Sequence, residues 1–198
     1  MDAYSKTLKG NSLLRKFRYS NLGAGILGNV LAAHENTDYA TLIAQRITIP
    51  LQMSRTFLHI PQSEQPFVTQ PHTKSLRPTP IWTMASLPGA GGLLPSMQDM
   101  LRFASAALST TPPLFPFMIH SLAKADNTDR SVGLGWVLRA TPEYQVAWHN
   151  GGTFGSRSFL GLEFKTGRAI VALANTPHSL DQLGARLLLG PTLSASFF

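Results

Sequence analysis

Tyr19-Ser20-Asn21 sets a phenolic hydroxyl and a side-chain amide in one short turn. Far downstream, His149-Asn150-Gly151-Gly152 sets an imidazole beside paired glycines. Such groups are what acyl transfer by a serine requires around its nucleophile: proton carriers, an amide to meet the substrate, and backbone free of side chains. Tyr19 and His149 are therefore the catalytic candidates, with Asn21, Asn150, Gly151 and Gly152 as candidates for substrate binding. The nucleophile has no obvious place in the chain.

These residues need elements to hold them. Asn21 to His34 reads as a helix, nearly all apolar and rich in Gly and Ala, so burial is expected on most sides. Asp38 to Ile47 reads as an amphipathic helix with Tyr39, Leu42, Ile43 and Ile47 on one face, stopped by Pro50. Leu58 to Pro88 is a long irregular excursion of the kind that forms functional walls or lids. Ser96 followed by Asp99 is a capping-box pattern opening a third helix, whose expected apolar stripe is Met97, Met100, Leu101, Ala104 and Leu108. Past Thr110 the runs become short and strand-like: Gly133–Arg139, Tyr144–Trp148, Arg157–Phe164 and Ala169–Ala174. Lys165-Thr166-Gly167 suits a hairpin between the last two. His178 to Leu189 reads as a closing helix with Leu180, Leu183, Leu187 and Leu188 toward one side. Helices, then an antiparallel meander, then a helix predict an α+β fold. The expected division is residues 1–130, a helical region with the site's loops, and residues 131–198, the strands and closing helix.

Composition narrows the function. The apolar share of 43% is that of a globular chain. The net charge of +7 reflects few acids; Lys6, Lys9, Arg15, Lys16 and Arg18 cluster near the start and the other basic residues are scattered, with no dense basic stripe interleaved with aromatics. That argues for a solvated basic face and against a nucleic-acid partner. With no cysteine and six dispersed histidines, neither a thiolate site nor a histidine metal motif is present, and no cofactor is expected. No apolar run spans a bilayer, so no transmembrane segment is expected. Asp2, Lys6 and Lys9 break any signal-peptide core; a periplasmic or secreted location would need a removed leader, and the cytoplasm is the other choice.

Four segments in order carry a family resemblance. Phe17-Arg18-Tyr19-Ser20-Asn21-Leu22-Gly23 resembles the Tyr-x-Asn motif of the class C β-lactamase and penicillin-binding serine hydrolases, a family that includes D,D-peptidases and esterases. Pro50-Leu51-Gln52-Met53-Ser54-Arg55-Thr56 is similar to its Pro-Leu-Gly-Met-x-x-Thr segment, with Gln52 in place of glycine. Ala90-Gly91-Gly92-Leu93-Leu94-Pro95-Ser96 with Asp99 resembles its glycine-rich helix entry, and Trp148 to Gly155 resembles its third motif. The resemblance implies a β-lactamase/transpeptidase-like fold and an acyl-enzyme route in which a Ser-x-x-Lys pair supplies nucleophile and base. Tyr19 then relays the proton, Asn21 meets substrate or lysine, His149 positions tyrosine or substrate, and the Gly152 N–H serves the oxyanion. Esters, amides, β-lactams and peptidoglycan-like peptides are the implied substrates, and histidine for lysine in the third motif leans toward esterase or D,D-peptidase chemistry.

Three literal motifs do not fit. Ser121-Leu122-Ala123-Lys124 matches Ser-x-x-Lys but follows the tyrosine motif, whereas the family's serine precedes it. Lys165-Thr166-Gly167 falls at the expected hairpin tip. Gly23-Ala24-Gly25-Ile26-Leu27-Gly28 lacks the preceding apolar strand and the following acid of a dinucleotide site, so close helix packing explains it better. By family order the nucleophile is expected upstream of Met1, together with the first strands. The chain alone is then expected to lack covalent chemistry, to expose a sheet edge and an uncovered apolar face, and to self-associate. The alternative is a non-catalytic remnant whose cleft serves as a binding or interaction module.

Overall fold

The polypeptide, a computed structural model, is described over residues 17–84, 86–109, 118–120, 122–125 and 129–194. Lys6, Lys9, Arg15, Lys16 and Ser121 lie outside the described residues.

Helix α1 (Asn21–His34) starts where Ser20, in extended conformation, accepts a hydrogen bond from Gly23 N at 2.9 Å. Its glycines are a packing seam. A Cβ on Gly25 would lie 2.6 Å from Leu87 Cβ, and one on Gly28 would lie 2.8 Å from the Tyr39 ring. The expected burial on most sides is not found: Gly25, Gly28 and Ala32 are buried, while Leu22, Ile26, Leu27, Val30 and Leu31 are 41–57% exposed. The seam takes the small residues, so the large apolar ones are left facing outward.

Asp38 caps α2 (Tyr39–Ile43) by accepting from Thr41 N at 2.9 Å and Thr41 Oγ1 at 2.7 Å. The helix widens into a π-turn, Ala44–Thr48, and ends before Pro50. Gln52 then adopts φ 55°, the left-handed region that glycine tolerates best. Strands β1 (Thr56–Phe57) and β2 (Leu94–Pro95) form a small antiparallel ladder. Between them run two 3₁₀ turns, Gln62–Phe67 and Pro88–Ala90, within otherwise irregular chain.

Helix α3 (Met97–Leu108) is capped by Ser96 Oγ, which accepts from Asp99 N at 3.2 Å. The reciprocal half of the box is absent, because Ser96 N already donates to Arg55 O at 2.9 Å. The Asp99 carboxylate, 1% exposed, instead accepts from Arg55 N at 2.7 Å and Thr56 Oγ1 at 2.8 Å. It ties the helix to the Arg55–Thr56 segment. The stripe also differs: Ala104 and Ala107 are buried and Met100, Phe103 and Leu108 pack beside them, whereas Met97 and Leu101 are exposed.

The main sheet is antiparallel and ordered β3 (Ala123–Lys124), β4 (Ser131–Val132), β5 (Val137–Ala140), β6 (Gln145–Gly152), β7 (Arg157–Glu163), β8 (Arg168–Ala174). The run expected as one strand over Gly133–Arg139 is divided, since Gly135 turns at φ 80° between β4 and β5. Alternation along the strands sends residues to two cores. Ala147, Leu160 and Leu162 meet α3, while Val146, Trp148 and Phe159 meet α4 (Asp181–Ser194). Both faces of the sheet are thus covered, and the large exposed apolar surface lies on α1 instead. On α4 the packed residues include Ala185 and Leu188, with Leu180 packed just before its start and Leu183 and Leu187 exposed. A break at Gly190, φ 81°, precedes Pro191.

The β7–β8 turn explains one literal motif. Glu163, 3% exposed, accepts from Gln145 N, Lys165 N, Thr166 N and the Thr166 hydroxyl. Burial pushes its carboxyl up, but these hydrogen bonds outweigh it and hold the group below the ordinary glutamate range. Lys165 Nζ donates to Thr141 O and Pro142 O. Lys165-Thr166-Gly167 is therefore a hairpin turn at the far end of β7 from Gly152, about 20 Å away by strand rise.

Candidate active site

Tyr19 precedes the α1 cap and is 68% exposed; His149 is exposed on β6. Their rings come within 6.5 Å, centroid to centroid, at an interplanar angle of 44°. Two segments 130 positions apart in the chain thus meet at one point. His149 Nδ1 lies 2.6 Å from Gly135 O in the β4–β5 turn. A carbonyl only accepts, so Nδ1 carries the proton in this contact, and Nε2 of the neutral ring is left as an acceptor.

The register of β6 opens a path to its backbone. Pairing with β5 ends at Val137↔Trp148, while pairing with β7 continues to Gly152↔Arg157. Phe164 N donates to Gln145 O at 2.9 Å and Thr153 N to Ser156 O at 3.0 Å. Antiparallel hydrogen bonding alternates along a strand, so 145 through 153 turn their odd-numbered backbone groups to β7 and their even-numbered ones the other way. The N–H of Gly152 therefore faces the edge that β5 has vacated.

The candidates divide by face. His149 and Gly151 share the α3 side of β6, which is also where Tyr19 stands. The Asn150 side chain projects to the opposite side and donates from Nδ2 to Asp181 Oδ1 at 2.9 Å, at the start of α4. Asn21, exposed, is the first residue of α1.

Further residues, not singled out by sequence, build the turn after Gly152. Arg157 Nη1 donates to Thr153 O at 2.6 Å and Ser156 O at 3.0 Å, and its guanidinium occupies the space a Gly152 Cβ would need. His72 N donates to Gly155 O at 3.2 Å and to Asn175 O at 2.9 Å. Asn175 Nδ2 in turn donates to Gln70 O at 3.0 Å. The irregular excursion is thus braced against the ends of β6 and β8. Its contacts join residues far apart in the chain, those to Asn175 by more than a hundred positions, and no local pattern marks them.

A cleft of about 470 Å³ lies elsewhere, behind α1, and is lined in part by Asn29, Thr37, Tyr39, His59 and Met84. Neither Tyr19 nor His149 borders it. Among the described residues, no group of histidines and carboxylates is arranged to hold a metal, and no helix is long and apolar enough to cross a membrane.

A family model described as Beta-lactamase matches residues 7–190. A Beta-lactamase of Providencia stuartii is 29% identical over 103 residues, covering 52% of this chain and 27% of that protein. The Unguisins hydrolase ungD' of Aspergillus campestris (strain IBT 28561) is 22% identical over 189 residues, covering 87% of this chain and 35% of the relative. Among solved structures, a class C beta-lactamase superposes with a TM-score of 0.76 at 19% identity, over 90% of this chain and 57% of that one. The chain spans about a third or less of the length of these curated relatives.

Proposed function

We propose, from the premise that this chain belongs to the Beta-lactamase family, that it is the Tyr-x-Asn and His-x-Gly part of a serine hydrolase that works through an acyl-enzyme. The observation that carries this reading is the meeting of Tyr19 and His149 beside the open edge of β6. In the proposed step a serine oxygen bonds to the acyl carbon while its proton passes to base and tyrosine. The carbonyl oxygen gains charge against the Gly152 N–H, and the leaving group departs with the proton returned through Tyr19. Water then repeats the sequence and releases the acid. His149 holds Tyr19 or substrate through Nε2, its ring fixed by the Gly135 carbonyl. Asn21 meets the substrate, Gly151 leaves room at the strand, and Asn150, tied to Asp181, acts by fixing the strand against α4.

Ser121-Leu122-Ala123-Lys124 is the single literal Ser-x-x-Lys in the sequence. Ala123 and Lys124 belong to β3, at the end of the sheet four strands away from β7. That position supports a nucleophile supplied by a segment outside this sequence, and the family's chemistry supports esters, amides, β-lactams or peptidoglycan-like peptides as substrates. With that segment supplied, an activated ester should be turned over, and Tyr19→Phe should lower kcat by about 10²–10⁴-fold. An unchanged rate in the variant would sink the relay role.

The absence of that pair from the described site also favours a second reading, a remnant that keeps its cleft for binding. Inactivity of the completed chain together with measurable binding of peptidoglycan-like peptides would select it.

A further inference from the structure

The β4–β5 turn that meets His149 is held from several sides. Gly133 N donates to Trp136 O at 2.9 Å, and Leu134 N donates to Met118 O at 2.8 Å. Trp136, 5% exposed, anchors the turn in the core beside Ala104 and Ala107. A Cβ on Gly133 would lie 2.3 Å from Met118 O, so the turn is seated closely against that carbonyl. Gly135 is a different case. Nothing lies within 4 Å of the place its Cβ would take, so space does not require glycine there. Its backbone does, at φ 80°. Turning φ swings a residue's own carbonyl relative to the chain before it, and this carbonyl lies 2.6 Å from His149 Nδ1.

We infer that Gly135 is a positioning residue for His149: its left-handed turn aims the carbonyl that keeps the imidazole proton on Nδ1 and leaves the Nε2 lone pair free in the site shared with Tyr19. The purpose of this lock rests on the functional reading above; its geometry does not. Free histidine in water favours the opposite tautomer, with the proton on Nε2. The hydrogen bond made by one ring nitrogen decides what the other offers. A lysine ammonium, the group of the family's third motif, has three donors and no acceptor. The neutral ring locked by Gly135 presents an acceptor instead. It therefore receives a group that donates, such as the Tyr19 hydroxyl, where an ammonium would only give.

Nitrogen NMR of this chain with 15N-labelled imidazoles tests the lock, in mildly alkaline buffer where the rings are neutral. His149 is assigned by the signal lost in His149→Gln. Its ring should show a protonated Nδ1 and a bare Nε2. Gly135→Val has room for its side chain, but its branched Cβ resists a positive φ. It should move the ring to the mixture of free histidine, dominated by the Nε2–H form. Gly135→Asn, which accepts that φ more readily, should keep the Nδ1–H form. Tyr19→Phe should leave the tautomer as it is, because the carbonyl sets it. Unchanged amide resonances along β7 show that the sheet survives each substitution; should Gly135→Val fail to fold, the less strained Gly135→Ala reads the same shift. A wild-type ring protonated on Nε2 would overturn the inference. So would a strained Gly135 variant that keeps Nδ1–H, an asparagine variant that matches the valine one, or a tautomer that follows Tyr19. Turnover is read separately: a locked tautomer in a completed chain that stays inactive upholds the lock and counts against the catalytic reading.

Discussion

Gln52 occupies a left-handed position, φ 55°, in the segment where the family's pattern has glycine, and its carbonyl accepts from the Arg102 guanidinium. A side chain in that region costs about 1–2 kcal/mol, part of which glycine's greater freedom in the unfolded chain gives back. Gln52→Gly should therefore raise stability by about 0.5–1 kcal/mol, read as a higher urea midpoint at unchanged slope. Asp99 is the opposite case. Its buried carboxylate accepts from both Arg55 N and Thr56 Oγ1, so Asp99→Ala strands two donors. A loss of about 3 kcal/mol is expected in the same titration. The final threonine of the Pro-Leu-x-Met-x-x-Thr segment thus has a structural role: its hydroxyl is the partner of the α3 aspartate.

At the scale of elements, the β7–β8 hairpin should respond to acid. Glu163's carboxyl is held below its ordinary value of 4.5, so its stabilising contribution is full above that pH and is lost as pH falls through the lowered value. Glu163→Gln should weaken the protein at neutral pH and flatten the acid side of a stability–pH profile; an equally steep acid side would contradict this. The same hairpin shows what the sequence made legible. Its strands and turn followed from local alternation and a glycine, and the span of α1 from its apolar run rich in Gly and Ala. What stayed hidden was set by distant partners. Neither Leu183 and Leu187 on α4 nor Met97 and Leu101 on α3 could be assigned outward without knowing where the sheet lies. Likewise, the adjacency of His149 and Asn150 concealed that a strand sends them to opposite faces. The bracing of Gly155 by His72 and Asn175 depends wholly on tertiary approach.

For the whole molecule, β8 pairs only with β7 among the described residues, and Leu173 on it is 38% exposed, as are Leu183 and Leu187 to a greater degree on α4. We expect the isolated chain to associate through this edge as its concentration rises, with Leu173→Lys reducing the sedimenting mass. A monomer at all concentrations would count against it. The two sides of α1 also bear on which substitutions selection can accept. Along the seam, any change from Gly25 or Gly28 adds atoms where Leu87 and Tyr39 already stand, so a survey of variants scored by folding of this chain should reject nearly all of them. Leu22, Ile26 and Val30 should accept polar replacements in that survey, and solubility should improve. One helix would then show, within a single tolerance map, which of its two sides the fold depends on.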